Sequence, residues 1–364
     1  MVPFLDLARQ YDAIKEEIDQ SIKRVLDSGW FVLGEEVLGL EREFAEYCGA
    51  KYAVGVGSGT EALHLALLAC GVEFDDEVIT VANTAVPTIS AISFANAAPV
   101  LVDVRADTLL MDASLIEEKI TDRTKVILPV HLYGQSADMD AILRIAGKHG
   151  LKVIEDACQA HGSLYRDRKA GTMGNLGCFS FYPSKNLGCY GDGGMVVTDS
   201  EEYCERLKLL RNYGQKTRYF HEIKGFNSRL DELQAAILRV KLRKLDGWNE
   251  RRRVVAKTYH EGLSENTDCV LPVEQPETRG NHHLYVIRHP ERDRLQEWLK
   301  KNGVATLVHY PVPVHLQEAY RDLGLREGDL PVTEAAAKRI VSLPIFPEIL
   351  DSEVEEVVKR VNDF

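Results

Sequence analysis

At 364 residues the chain is too long for one small core and long enough for a large domain with a smaller companion. Hydrophobic residues at 45% and charged residues at 27% describe an ordinary globular protein, and a formal net charge of −12 argues against nucleic acid or an anionic membrane as the main partner. No apolar run approaches the roughly 20 residues of a membrane span, residues Met1–Asp6 do not read as a secretion signal, and Cys48, Cys70, Cys158, Cys178, Cys189, Cys204 and Cys269 lack metal-ligand spacing and fit reduced thiols in a cytoplasm.

In chain order, Ile14, Ile18, Ile22, Val25 and Leu26 give Tyr11–Ser28 a helical period, and a second helix is expected over Glu36–Tyr47, ended by Gly49. From residue 52 short apolar runs alternate with helical segments. Strands are expected at Tyr52–Val56, Glu77–Val81, Pro99–Val104, Thr124–Val130 and Leu151–Glu155. Helices are expected at Glu61–Cys70, around Thr88–Ala95 and at Met139–His149. This alternation implies a largely parallel sheet covered on both faces. Cys178–Tyr182 and Gly194–Thr198 read as strands joined by a glycine-rich loop, followed by helices at Glu201–Asn212 and, long enough to bridge to another domain, Ser228–Asn249. Beyond about residue 250 a smaller α+β unit is expected, with strands at His283–Arg288 and Ala305–His309 and helices at Leu295–Lys301 and Asp351–Asn362.

Three segments carry candidate chemistry. Asp156 ends a predicted strand, where open α/β sheets place ligand groups; taken alone, a helix cap is the better reading. Lys185 follows the apolar and aromatic run Cys178–Pro183. A lysine desolvated there would be nucleophilic, although most single lysines are merely exposed. Gly57-Ser58-Gly59-Thr60 joins a strand to a helix, and the free N–H groups of a helix start suit a phosphate. It is not a Walker A loop, and alone it reads as a capped turn.

Together these segments resemble the DegT-type nucleotide-sugar aminotransferases, a branch of the fold-type I enzymes that use pyridoxal phosphate (PLP). The likeness runs from Pro3-Phe4-Leu5-Asp6-Leu7 through Gly57–Leu63, Val130–Gly134, Glu155–Gly162, Phe179–Asn186, Gly191–Gly194, Arg211–Gly214 and Gly225–Asp231 to His309–Gln317. It implies an α/β large domain over residues 1–245, with a mostly parallel seven-stranded sheet, and a smaller α+β domain over 246–364; the N-terminal segment, to about residue 30, would pack on the small domain. It also implies that Lys185 is the Schiff-base lysine and proton shuttle and that Asp156 pairs with the pyridinium nitrogen. Gln159 would bond the cofactor's 3′-oxygen. Gly59, Thr60 and Ser180 would hold its phosphate, with Asn227 reaching in from the second subunit of a homodimer. One position departs from the pattern: Ala85 stands where the family usually has an aromatic residue that stacks on the ring.

The implied reaction is transamination of a nucleotide-linked keto-sugar, with L-glutamate as donor. His309-Tyr310-Pro311-x-Pro313-x-His315 resembles members that aminate C3, which favours a 3-keto-6-deoxyhexose on dTDP. A 4-keto-sugar, a UDP-linked sugar and a cyclitol remain as alternatives. His309, Tyr310 and His315 are the sugar or diphosphate contacts to examine, then Tyr182, Lys216, Tyr219 and Arg229, for which a structural role is as good a reading. Two rivals are disfavoured: a sugar dehydratase of this type has histidine in place of Lys185, and a non-enzymatic regulator would be expected to lack Lys185 or Asp156.

Overall fold

The computed structural model describes residues 1–364. Its centre is a seven-stranded sheet: β1 (Tyr52–Val56), β2 (Glu77–Val81), β3 (Ala98–Val102), β4 (Thr124–Ile127), β5 (Lys152–Asp156), β6 (Leu176–Ser180) and β7 (Gly194–Thr198). The spatial order is β1-β7-β6-β5-β4-β2-β3, and all strands run the same way except β7, which is antiparallel to both neighbours. Strands buried on both faces need near-continuous apolar runs, and β2 and β7 are buried at every position.

One face is covered chiefly by α3 (Gly59–Ala69), in which His64 and Leu65 are buried along with the alanines, with α6 (Glu201–Leu210) beside it. The other face carries α2 (Glu35–Cys48) and α7 (Glu232–Leu242), where Phe44 meets Phe179 and Phe181 edge-on at centroid distances of 5.0 and 5.5 Å. Such pairs contribute about 0.5–1.5 kcal/mol each beyond the area they bury. They anchor the strand that leads into Lys185.

The expected bridging helix Ser228–Asn249 is two helices, α7 and α8 (Leu245–Leu263), separated at Arg243-Lys244. Nothing local breaks it, since Leu242, Arg243, Lys244 and Leu245 are all good helix formers. The turn is tertiary: α7 packs on α2 in the large domain, whereas α8 packs on α11 (Asp351–Asn362) in the small one. The small-domain core gathers Tyr259, Tyr285, Leu295, Phe346 and Val357 around a pair of antiparallel strands, β8 (Tyr285–Arg288) and β9 (Ile340–Leu343). The strand expected at Ala305–His309 does not form as such. Val304 bridges to Val2 and Leu307 to Ser342, and the ladder goes no further.

The N-terminal segment divides its allegiance. Val2 pairs with Val304, Phe4 stacks on His309, and Arg9 bonds Glu353 of α11 at 2.7 Å, all within the small domain. The body of α1 (Leu7–Ser28) instead lays Ile14 and Ile18 on Ile237 and Val240 of α7. Its start is set by Asp6, whose carboxylate accepts the amides of Ala8 and Arg9.

Candidate active site

The chemistry gathers where the parallel strands end. Val56 of β1 and Ser180 of β6 both face Gly194 at the start of β7, and Val130 bridges to Asp156 at the end of β5. Around this rim the sequence places glycines where backbone must approach backbone. A Cβ on Gly59 would lie 2.6 Å from that of Ser180, and one on Gly194 would collide with the Ser58 carbonyl. Ser58 caps α3 by accepting the Glu61 amide at 3.2 Å, which leaves Gly59 and Thr60 as the first helical residues. The opening N–H groups of a helix have no intrahelical acceptor and suit an anion. Ser180 packs against this helix start, and its Oγ, which accepts the Tyr182 amide at 3.3 Å, keeps its own hydrogen to donate, so the donors gathered here fit a phosphate.

Asp156 is buried, and both of its oxygens are engaged. Thr88 donates to one at 2.8 Å and the Cys158 amide to the other at 3.2 Å. Three residues on, Gln159 is oriented by the Tyr133 amide, which donates to its Oε1 at 2.7 Å. Its Nε2 therefore faces the cleft, donating to the Tyr310 hydroxyl at 3.3 Å and keeping a second hydrogen for a ligand oxygen. Tyr133 also donates its hydroxyl to the His309 carbonyl, so this triangle of bonds ties the large domain to the 309–310 loop of the small one.

Lys185 sits on the loop after β6. Burial pushes its ammonium below the ordinary lysine range, against the opposing pull of Cys158 and Asp156. Three histidines sense its charge. His161 is pushed down to about 3 and His309 to about 4, in each case by burial first and by Lys185 second. His283 falls well below its usual range for the same reasons. The neighbouring Asn186 is held from the small domain: it donates to Asn249 Oδ1 at 2.8 Å and accepts from His283 Nδ1 at 3.1 Å. Because the Asn186 amide nitrogen is already donating, its oxygen must accept, which puts the proton of His283 on Nδ1. Lys185 and Asp156 thus share one charged neighbourhood beside the phosphate cradle, and a lysine, an acid and an anion cradle are the groups that PLP requires.

The other expected residues scatter. Arg229 lies over the Tyr213 ring at 5.5 Å and donates to Asn212. Tyr182 and Tyr219 are exposed, Asn227 pairs only with Asn212, and Lys216 meets Glu222 at 3.3 Å on the surface. His309 bonds Ser342 through Nδ1 at 2.8 Å while its ring stacks on Phe4. His315 is not brought to the open cleft. Its side chain is wholly buried against Glu334 at 3.1 Å, and that carboxylate also accepts the amides of Gly328 and Leu330. Ala85 is the uncapped start of α4 (Val86–Phe94) and offers no ring.

Residue reading alone gave no role to Tyr133, Thr88, Asn186, Asn281 or His161. Asn281 donates to the carbonyls of Gln159 and His161 at 3.0 and 3.1 Å, and His161 is fully buried with both ring nitrogens unpartnered. His131 is settled as structure. It accepts the Ala137 amide on Nδ1 and so carries its proton on Nε2, toward the buried Glu155 at 2.8 Å.

Comparison with known proteins agrees with this arrangement. The chain is 48% identical over 363 residues to the dTDP-3-amino-3,4,6-trideoxy-alpha-D-glucose transaminase of Streptomyces venezuelae, covering 100% of this chain and 96% of that one. The crystal structure of S. venezuelae DesV superposes with a TM-score of 0.98 at 48% identity, over 100% of this chain and 98% of the other. Bacillus subtilis NtdA, solved with bound cofactor PMP, superposes with a TM-score of 0.92 at 33% identity, over 99% and 84%. With the DegT/DnrJ/EryC1/StrS aminotransferase family model matching residues 12–362, the chain belongs to that family of aminotransferases.

Proposed function

We propose that the enzyme uses PLP, held on Lys185, to move an amino group from L-glutamate to C3 of a dTDP-linked 3-keto-6-deoxyhexose. The observation that carries the reading is the shared neighbourhood of Lys185 and Asp156 beside the Gly59–Ser180 cradle. Full-length identity of 48% to a dTDP-3-amino-sugar transaminase supports the acceptor class. When bound, the cofactor supplies an aldehyde that takes up the amino group and a ring that delocalises the electron pair left on the donor carbon.

The protein's own groups do the rest. Burial leaves the Lys185 Nζ more readily neutral, so it can attack and can carry the proton between donor and acceptor carbons. Asp156 would pair with the ring nitrogen, Gln159 Nε2 would donate to the 3′-oxygen, and Gly59, Thr60 and Ser180 would hold the phosphate. Tyr310 and His309 border the acceptor, with Tyr182, Tyr219 and Arg229 as outer contacts.

A homodimer completes the site. Trp30, Phe31, Tyr219, Phe220 and Phe226 are between 41% and 76% exposed, more apolar surface than a lone subunit usually leaves wet. Asn227 lies within this region and is free to serve a neighbour's cradle. Seven unpaired cysteines fit a reducing cytoplasm. The test is a panel of keto-sugar nucleotides scored for glutamate-dependent amination. Turnover of dTDP-3-keto-6-deoxyhexoses is expected; preference for 4-keto-sugars, UDP-sugars or keto-inositols would move the assignment.

A further inference from the structure

We infer that Thr88 and Thr84 form a directed hydroxyl relay that positions Asp156 against the cofactor ring, an inference that rests on the PLP reading above. Thr88 stands in the first turn of α4, is 1% exposed, and places Oγ1 2.8 Å from Asp156 Oδ2 and 2.7 Å from Thr84 Oγ1. A carboxylate only accepts, and a threonine hydroxyl has a single hydrogen. Thr88 must therefore donate to Asp156, and so can only accept from Thr84. The order of donation is fixed from Thr84 to Thr88 to Asp156.

The Cys158 amide holds the second carboxylate oxygen from the other side. Two donors on two oxygens fix both the tilt and the rotation of the carboxylate plane. Of the two χ1 rotamers that a helix leaves open to threonine, Thr88 takes the one whose hydroxyl reaches Asp156. The relay crosses from the loop after β2 to the end of β5, linking two strand ends of the sheet. Thr84 adjoins Ala85, the position without a stacking ring. Thr88 and Thr84 are positioning residues: they touch Asp156 or one another and no reacting atom.

Thr88→Val keeps the shape and removes the hydroxyl. It is expected to lower kcat roughly 10-fold to 100-fold with KM for the sugar little changed, as misplacement of a reacting partner does. The pH midpoint of the loaded protein's visible absorbance is expected to move away from that of the wild type. Thr88→Ser should restore most of both. Should Thr88→Val fail to fold, Thr84→Val, one bond further from Asp156, is expected to show a smaller loss of about 3-fold in kcat with the same restoration by serine. Wild-type kcat and absorbance midpoint in the valine variants would overturn the relay, as would a serine variant as impaired as the valine one. Wild-type protein that takes up no PLP would overturn the reading beneath it, a separable outcome.

Discussion

Gln159 shows how much one side chain can be asked to do. Its oxygen is committed to the Tyr133 amide, and this turns its NH2 toward Tyr310 and the cleft. Gln159→Leu should weaken PLP binding about 10-fold, from the loss of roughly 1.4 kcal/mol, measured by titrating the cofactor-free protein; unaltered affinity would remove Gln159 from the site. The buried histidines set a pH dependence. His161, His282 and His309 are pushed down to about 3, 4 and 4 by burial, and His283 is likewise pushed well below the ordinary 6.5. The unfolded chain therefore takes up protons first as pH falls. Stability is full above about 6.5 and declines toward pH 4, by up to ~1.4 kcal/mol per pH unit for each histidine. Thermal melts between pH 8 and 5 should show Tm falling below pH 6.5, and a flat profile would contradict these assignments. Asp156 and Lys185 were legible only as members of an ordered set of segments, because each alone has a commoner bland reading. The burial of His315 against Glu334 was not legible. Its motif looks like a ligand contact, and the partner that occupies it is fixed by folding.

At the level of elements, the Glu41–Arg211 pair ties α2 to the end of α6. Both side chains are under 10% exposed; Arg211 also donates to the Gly55 carbonyl at 2.8 Å, and the Gly55 amide donates to Glu41 at the same distance. Removing one partner leaves a buried charge. Arg211→Met should therefore cost about 3–5 kcal/mol in denaturant unfolding, with much of it recovered in the Glu41→Leu/Arg211→Met double variant. Equal losses in the single and double variants would show that the pair is not coupled. Element types were largely readable. Glu77–Val81, Met139–His149, Gly194–Thr198 and Asp351–Asn362 have the bounds that their periods give. The failures are tertiary. The helix break at Arg243-Lys244 has no local cause, and the run at Ala305–His309 stops as a strand because its neighbours, Val2 and Ser342, each offer one bridge.

For the whole molecule, the sites are expected to be completed by pairing of subunits. If Asn227 serves the partner's cradle, mixing inactive Lys185→Ala and Asn227→Ala subunits should restore roughly 25% of wild-type activity, since half the dimers are hybrid and each hybrid has one intact site. No recovery after subunit exchange would place Asn227 outside the site. Everything at this scale rests on which amine holds the cofactor. The direct measurement is to load the protein with PLP, reduce it with borohydride and map the labelled peptide by mass spectrometry. The expected result is a single label on Lys185, absent from the Lys185→Ala variant; a label on another lysine, or none, would contradict it.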